Sequence, residues 1–185
     1  MKKIRPILLL FAIAISSIAM NAQEKYIDKS GIINFEASEE TFEPVKAKNE
    51  SVTAILNTAK NEIAALALIK SFRFKNSLME EHFNENYIES ETYPKATFRG
   101  ELLNFDSTSL TENNTETTVE GVLKLHGKEK KINTTLLVSK TRETIQLSGS
   151  FTVTPQDFDI EIPSVVRNKI AKEIIIVLDF KLSPK

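Results

Sequence analysis

Hydrophobic and polar residues alternate along most of the chain after residue 23. A period of two places successive side chains on opposite faces of an extended strand, so this alternation predicts β-strands. Short polar gaps at 58–61, 127–129 and 140–142 favour antiparallel hairpins. The pattern predicts eight strands, at about residues 31–37, 50–57, 62–74, 95–105, 116–126, 130–139, 143–153 and 172–182.

The apolar positions of the last five predicted strands fall on one face, and the opposite positions are mostly Thr, Ser, Lys, Arg and Glu. An antiparallel sheet with one apolar face can close on itself, which removes its edges. Eight is also the strand number at which the interior either fills with side chains or holds one small ligand. We therefore expect one mainly all-β domain, an eight-stranded antiparallel β-barrel.

The third predicted strand departs from this alternation, because both of its faces are apolar from Ile63 to Ile69. Its pattern places Ala65 and Ala67 on the outer face, where the other strands are polar. We expect this outer patch to be covered by the segment that follows it, by a partner chain or by a turn of the barrel rim.

Residues 76–90 carry apolar side chains at every fourth position, which predicts a helix after the third strand. The spacing is set by Met79, Phe83 and Tyr87. Ser77 precedes Leu-Met-Glu-Glu and predicts a side-chain cap with acidic residues in the first turn. A second irregular segment, 155–171, is expected to form a loop or a short helix before the last strand.

The chain begins MKKIRPILLLFAIAISSIAMNAQ, a basic start followed by an apolar run. This pattern predicts a secretory signal peptide over residues 1–22 and a mature domain over 23–185. The apolar run is short of the ~20 residues that span a bilayer, so we expect no transmembrane anchor after cleavage. We expect a bacterial periplasmic or secreted protein.

Composition excludes several functions for the mature chain. The chain has 24 basic and 25 acidic residues, and removal of Lys2, Lys3 and Arg5 leaves 21 basic residues and a formal charge of −4. Nucleic-acid binding needs a clustered basic excess, so no nucleic-acid partner is expected. The absence of cysteine excludes disulfides, thiol chemistry and a lipid-modified N-terminal cysteine.

The two histidines are the first candidates for chemistry. His82 has Glu85 at i+3 on the predicted helix, and His126 could join them only through the fold. A single His–Glu pair is more typical of a solvated helix face than of a metal site. The chain also lacks a Gly-x-Ser-x-Gly elbow and any glycine-rich phosphate loop. We therefore expect no enzyme, with no catalytic residue, metal ligand or cofactor.

Four lysines flank the predicted hairpin turn at His126–Gly127, namely Lys124, Lys128, Lys130 and Lys131. They could attract a phosphorylated head group or keep the hairpin tip soluble. We favour solubility.

Three stretches of the chain resemble the YceI-like family of exported bacterial domains. The first is FRFKNSLMEEHFNENYIESETYPKATFRG, a helix followed by Tyr-Pro-x-x-x-Phe at Tyr93, Pro94 and Phe98. The second, VEGVLKLHGKEKKI, is similar to the family's Gly-x-Leu-x-x-His-Gly hairpin, at Gly121, Leu123, His126 and Gly127. The third, FTVTPQDFDI, is similar to its Asp-Phe-x-Ile corner, at Asp157, Phe158 and Ile160. The resemblance covers about residues 24–183.

The resemblance implies a lipocalin-like barrel with a helix near one mouth and an apolar interior that holds a lipid tail, because better-known members bind polyisoprenoid lipids. An amphiphilic lipid of polyisoprenoid or fatty-acyl type is the expected partner. The candidate ligand-binding residues are Phe35, Phe72, Phe74, Met79, Phe83, Tyr87, Phe98, Leu123, Leu136, Phe151 and Leu178.

Alanines on the predicted strands favour a cavity, because small side chains leave room; they are Ala54, Ala64, Ala65, Ala67 and Ala96. The alternative is an interior filled by the phenylalanines. The protein would then be a structural or interaction module without a ligand, in which the Ala65/Ala67 patch docks a partner, such as a second copy in a homodimer.

Overall fold

The computed structural model describes residues 24–39 and 42–185, so the predicted signal peptide lies outside the described residues. Within them, nine antiparallel strands form one sheet. The strands are β1 (Lys25–Ser38), β2 (Lys46–Asn57), β3 (Glu62–Leu68), β4 (Arg73–Phe74), β5 (Lys95–Leu103), β6 (Thr115–Leu125), β7 (Lys128–Thr141), β8 (Thr144–Val153) and β9 (Ile170–Pro184).

Eight of these strands close the barrel. The hydrogen-bonded order runs β1-β9-β8-β7-β6-β5-β3-β2, and β2 pairs with β1 to complete the circle. The two-residue strand β4 adds to the beginning of β2. The expected eight-stranded antiparallel barrel is confirmed, and the apolar face of the last five predicted strands forms its interior.

The third predicted strand, 62–74, is wrong in its continuity. β3 ends at Leu68, a 3₁₀ turn covers Ile69–Ser71, and β4 then resumes the pairing with β2. The side chain of Asn49 explains the break, because its Nδ2 donates to the Leu68 carbonyl at 3.0 Å while its Oδ1 accepts from Ser51. The fully buried side-chain amide of Asn49 thus takes the place of a backbone hydrogen bond at the point where β2 and β3 separate.

The outward placement of Ala65 and Ala67 is also wrong. Ala65 lies opposite Phe98 and Ala67 opposite Ala96, and cross-strand partners share a face of the sheet. Both alanines therefore point into the barrel with Phe98 and Ala96. The outward residues of β3 are Ala64, Leu66 and Leu68, and Leu68 is 44% exposed. A period-2 pattern could not decide this, because both faces of β3 are apolar.

The first strand begins six residues before the predicted position 31, at Lys25. Its early part was missed because Asp28 occupies an inward position, which breaks the apolar alternation. Asp28 is buried beside a register shift between β1 and β9. Its two oxygens accept hydrogen bonds from the backbone amides of Ser30 and Lys181, so the carboxylate supplies the acceptors that the ladder lacks there.

The expected helix after the third strand is present as α1 (Ser77–His82), and a wider helical turn continues it over Phe83–Tyr87. The cap is Asn76 rather than Ser77, because the Asn76 side chain accepts from the amides of Leu78 and Met79. Asn is as good a cap as Ser, so sequence alone gave no reason to prefer either. Among the described residues, no helix has the length and apolar character needed to cross a bilayer.

Candidate functional site

The two ends of the barrel differ in packing. At the end where β1 starts and β9 finishes, large side chains fill the interior completely; they include Leu56, Val138, Ile145 and Leu182. We call this the packed end. The opposite half encloses a cavity of about 550 Å³. The interior is therefore open in one half of the barrel and filled in the other, and the phenylalanines that were the alternative filling line the open half instead.

The cavity has a floor and a single described mouth. Val119, Leu147 and Phe180 line its inner limit, and Val119 and Leu147 are almost wholly shielded from solvent. The mouth lies at the other end, where three connections contribute lining residues: the β1–β2 connection, the α1 region and the β8–β9 connection, 154–169. The site is therefore a dead-end apolar chamber.

Small residues make room along one wall. Ala65, Ala67 and Ala96 line the chamber on β3 and β5. Next to them Gly100 faces Gly121 across the strand pair, and a Cβ on either glycine would lie within 2.8 Å of the Phe98 Cζ atom. The tip of the Phe98 ring therefore occupies the space that side chains at these two positions would take.

Four phenylalanines form the side of the mouth next to α1. In five of the six pairs formed by Phe35, Phe72, Phe74 and Phe83, the ring centroids lie 5.1–5.9 Å apart. Aromatic pairs at these separations add stability beyond the area that they bury. Because Phe83 follows directly on α1, the cluster holds the helix over the mouth.

The family-like motifs of the sequence meet beside the mouth. His126 and Gly127 form the tight β6–β7 turn, with φ values of 48° and 73°. The Tyr93 ring lies 4.5 Å from the His126 ring, and a Cβ on Gly127 would fall 2.9 Å from Tyr93. His126 Nδ1 lies 2.8 Å from the Phe158 carbonyl oxygen, and Nε2 lies 3.1 Å from the carboxylate of Glu89. Both ring nitrogens are engaged, so His126 holds three segments together.

Two of the four lysines that flank this hairpin turn are also engaged, in ion pairs with the β8–β9 connection. Lys128 pairs with Asp159 at 2.6 Å, and Lys130 pairs with Asp157. Burial, the largest single influence, raises the pKa of Asp157, but the hydrogen bonds from Lys130 and Thr154 together hold this pKa below its ordinary value. The hydrogen bond to Lys128 lowers the pKa of Asp159 in the same direction. These lysines fix the β8–β9 corner, and their charge is neutralised there.

All eleven predicted ligand-binding residues line the chamber: Phe35, Phe72, Phe74, Met79, Phe83, Tyr87, Phe98, Leu123, Leu136, Phe151 and Leu178. Ligand binding by them stays a prediction. Sequence reasoning missed the contribution of the β8–β9 connection, where Phe158, Ile160, Ile162 and Val166 also line the chamber. Apolar residues at 158, 160 and 162 alternate, a signal that was available within the segment treated as a loop.

His82 lies on the exposed side of α1 and lines the mouth. No hydrogen bond or ion pair joins His82 and Glu85, so the candidate His–Glu pair of the sequence is not formed. Across residues 24–39 and 42–185, no three histidine or carboxylate side chains come together in a way that could hold a metal ion.

These features define a class: small, closed antiparallel β-barrels that enclose an apolar chamber open at one end. The chain belongs to the YceI-like family, whose domain matches residues 25–182. Among solved structures it is similar to a polyisoprenoid-binding domain of Saccharophagus degradans implicated in plant cell wall breakdown, at 17% identity and a TM-score of 0.75, over 88% of this chain and 99% of that one.

Two further structures share the fold. BcnA of Burkholderia cenocepacia is 16% identical, with a TM-score of 0.69 over 85% of this chain and 99% of that one. The YceI protein of Campylobacter jejuni is 15% identical, with a TM-score of 0.63 over 78% and 87% of the two chains. A comparison with curated proteins found no match.

Proposed function

We propose that this protein binds one amphiphilic lipid, of polyisoprenoid or fatty-acyl type, with the tail inside the barrel. The observation that carries the proposal is the dead-end chamber, whose walls and floor are almost entirely apolar. Such a chamber can bury a hydrocarbon chain away from water, and almost none of the side chains around the buried chain are polar. An amphiphile fits better than a pure hydrocarbon, because polar side chains, among them Glu43, His82 and Lys169, lie at the mouth.

The chamber volume sets the length of the buried tail. If each methylene-sized group takes the ~30 Å³ that a water occupies in the liquid, the chamber of about 550 Å³ holds roughly 15–20 such groups. Each buried CH₂ contributes roughly 0.8 kcal/mol, so burial of ten to fifteen already supports tight retention. A longer polyprenyl tail would extend through the mouth.

The comparison with the Saccharophagus degradans domain supports this type of cargo, because that protein is a polyisoprenoid-binding domain with the same fold. We propose that the protein binds this lipid and does not catalyse a reaction on it. His126 supports this part, since both of its ring nitrogens are engaged within the fold.

We also propose that the protein is exported and acts in the periplasm or outside the cell. The basic and apolar start of the chain supports export. Fractionation of producing cells, with the intact mass of the recovered protein, tests this part. A cytoplasmic protein that retains residues 1–22 would contradict it.

The binding proposal is tested with two ligands that differ at one end. Native mass spectrometry and organic extraction of the purified protein first identify any lipid that it carries. The stripped protein is then titrated with hexadecan-1-ol and with hexadecane-1,16-diol. We expect the alcohol to bind one to one and the diol to bind roughly tenfold or more weakly, because its second hydroxyl would be buried without a partner at the floor. No uptake of either, with no extracted lipid, would refute the proposal.

A further inference from the structure

The mouth of the chamber carries acidic and basic side chains. Among the described side chains that line the chamber, one is a glutamate and one is a lysine, Glu43 and Lys169. Glu43 lies on the β1–β2 connection, and Lys169 lies on the β8–β9 connection, immediately before β9 begins. The floor at the opposite end is apolar, so an amphiphile can enter only with its tail first.

Lys169 differs from the two lysines of the β6–β7 hairpin that form ion pairs with the β8–β9 connection. Lys128 and Lys130 are neutralised by Asp159 and Asp157. The Lys169 amide donates to the Val166 carbonyl and fixes the backbone, but its ammonium group makes no hydrogen bond or ion pair with any described residue. With respect to the described part of the chain, Lys169 is therefore a cation with a fixed backbone and an unpaired ammonium group at the entrance of an apolar chamber.

From this arrangement we infer that the preferred ligand is an anionic amphiphile, with a carboxylate or phosphate head group that pairs with Lys169 at the mouth. This inference rests on the proposed function and specifies its ligand class. Lys169 is solvent-exposed, so the ion pair contributes selectivity more than affinity. Tail burial supplies most of the affinity for charged and neutral ligands alike.

Three ligands with the same twelve-carbon tail test the inference: dodecanoate, dodecyl phosphate and dodecan-1-ol. Each displaces the neutral fluorophore N-phenyl-1-naphthylamine at pH 7.5, and the chain contains no tryptophan to interfere with its emission. We expect Lys169→Gln to weaken one or both anionic ligands about threefold to tenfold and to leave dodecan-1-ol unchanged. The ligand that loses more identifies the head group.

Lys172→Gln is the matched control, because Lys172 is exposed on β9, carries the same charge and does not line the chamber. It should leave all three affinities unchanged. Glu43→Gln should act in the opposite direction and strengthen the anionic ligands, because it removes a like charge from the mouth.

The results separate two failures. If dodecan-1-ol binds but Lys169→Gln retains wild-type affinity for both anions, the head-group inference is wrong and the lipid-binding proposal stands. If Lys172→Gln weakens the anions as much as Lys169→Gln, the effect is one of net charge and the inference is again wrong. If none of the three ligands binds to the wild type, the proposed function fails, and the inference fails with it.

Discussion

Three alanines on two paired strands allow the hollow and packed parts of the barrel to be compared by one substitution. Ala65 lines the chamber, and Ala64 beside it faces outward. Ala54 lies opposite Ala65 on β2; it is fully buried but does not line the chamber. Each is changed to leucine. The three variants add the same three carbon atoms to a chamber, to the outer surface and to a packed core.

The structure sets a magnitude for each variant. Ala65→Leu fills roughly 90 Å³, about one-sixth of the chamber of about 550 Å³, at ~30 Å³ per carbon group. Burial of these carbons contributes up to about 2 kcal/mol, which lost rotamer freedom of about 0.5–1 kcal/mol offsets in part, so the free energy of unfolding should stay level or rise by about 1 kcal/mol. Ala54→Leu should lose about 1–3 kcal/mol, because its surroundings are already filled.

Urea denaturation followed by circular dichroism measures stability, and a series of n-alkanols measures binding. Affinity should rise about fourfold for each added carbon until the chamber is full. In Ala65→Leu this rise should stop about three carbons earlier than in the wild type and in Ala64→Leu. If Ala65→Leu destabilises the protein as much as Ala54→Leu does, or if its plateau does not move, the chamber is not an open site for the tail.

Further predictions concern the supports of the barrel. Asn49→Ala should cost roughly 2–4 kcal/mol of unfolding free energy in urea titrations, because it leaves the Leu68 carbonyl and a neighbouring amide without partners. Gly127→Ala should cost roughly 1–3 kcal/mol by the same assay, because φ is 73° and the new Cβ would meet Tyr93; a variant as stable as the wild type would contradict the close packing. Asp157→Asn should be less stable than the wild type at pH 7, and the difference should shrink as the pH falls below about 4. The native pKa of Asp157 is lowered from 3.8, so its contribution is present above that value and is lost on acidification through the native pKa. A difference that stays constant between pH 7 and pH 3 would show that the charge of Asp157 does not stabilise the fold.

The barrel itself could be predicted from the sequence, because β5 to β9 keep a strict alternation of apolar and polar positions. The alternation failed where a buried polar residue stands in an inward position. Asp28 supports the irregular pairing of β1 with β9, and Asn49 supports the break where β2 and β3 part; nothing in a single sequence separates such residues from surface ones. The alternation also could not identify the inward face of β3, because Ala65 and Leu66 make both faces of this strand apolar.

The chamber was harder to predict than the barrel, because residue type does not tell whether a side chain fills space or borders it. Of the alanines that suggested a cavity, Ala65, Ala67 and Ala96 do line it, whereas Ala54 is packed and Ala64 faces outward. The decisive feature is position along the strand. Small residues lie in the half nearer the mouth, and Leu56, Ile145 and Leu182 fill the packed end.

The depth and direction of tail insertion test the account most directly. Hexadecan-1-ol labelled with ¹³C at its terminal methyl group would be bound to the protein, and isotope-edited NMR would identify the side chains in contact with that methyl. The account predicts contacts with Val119, Leu147 and Phe180 at the floor. Contacts with Leu78 or other residues of the mouth, or with the outward side chains Ile175 and Val177 of β9, would contradict it.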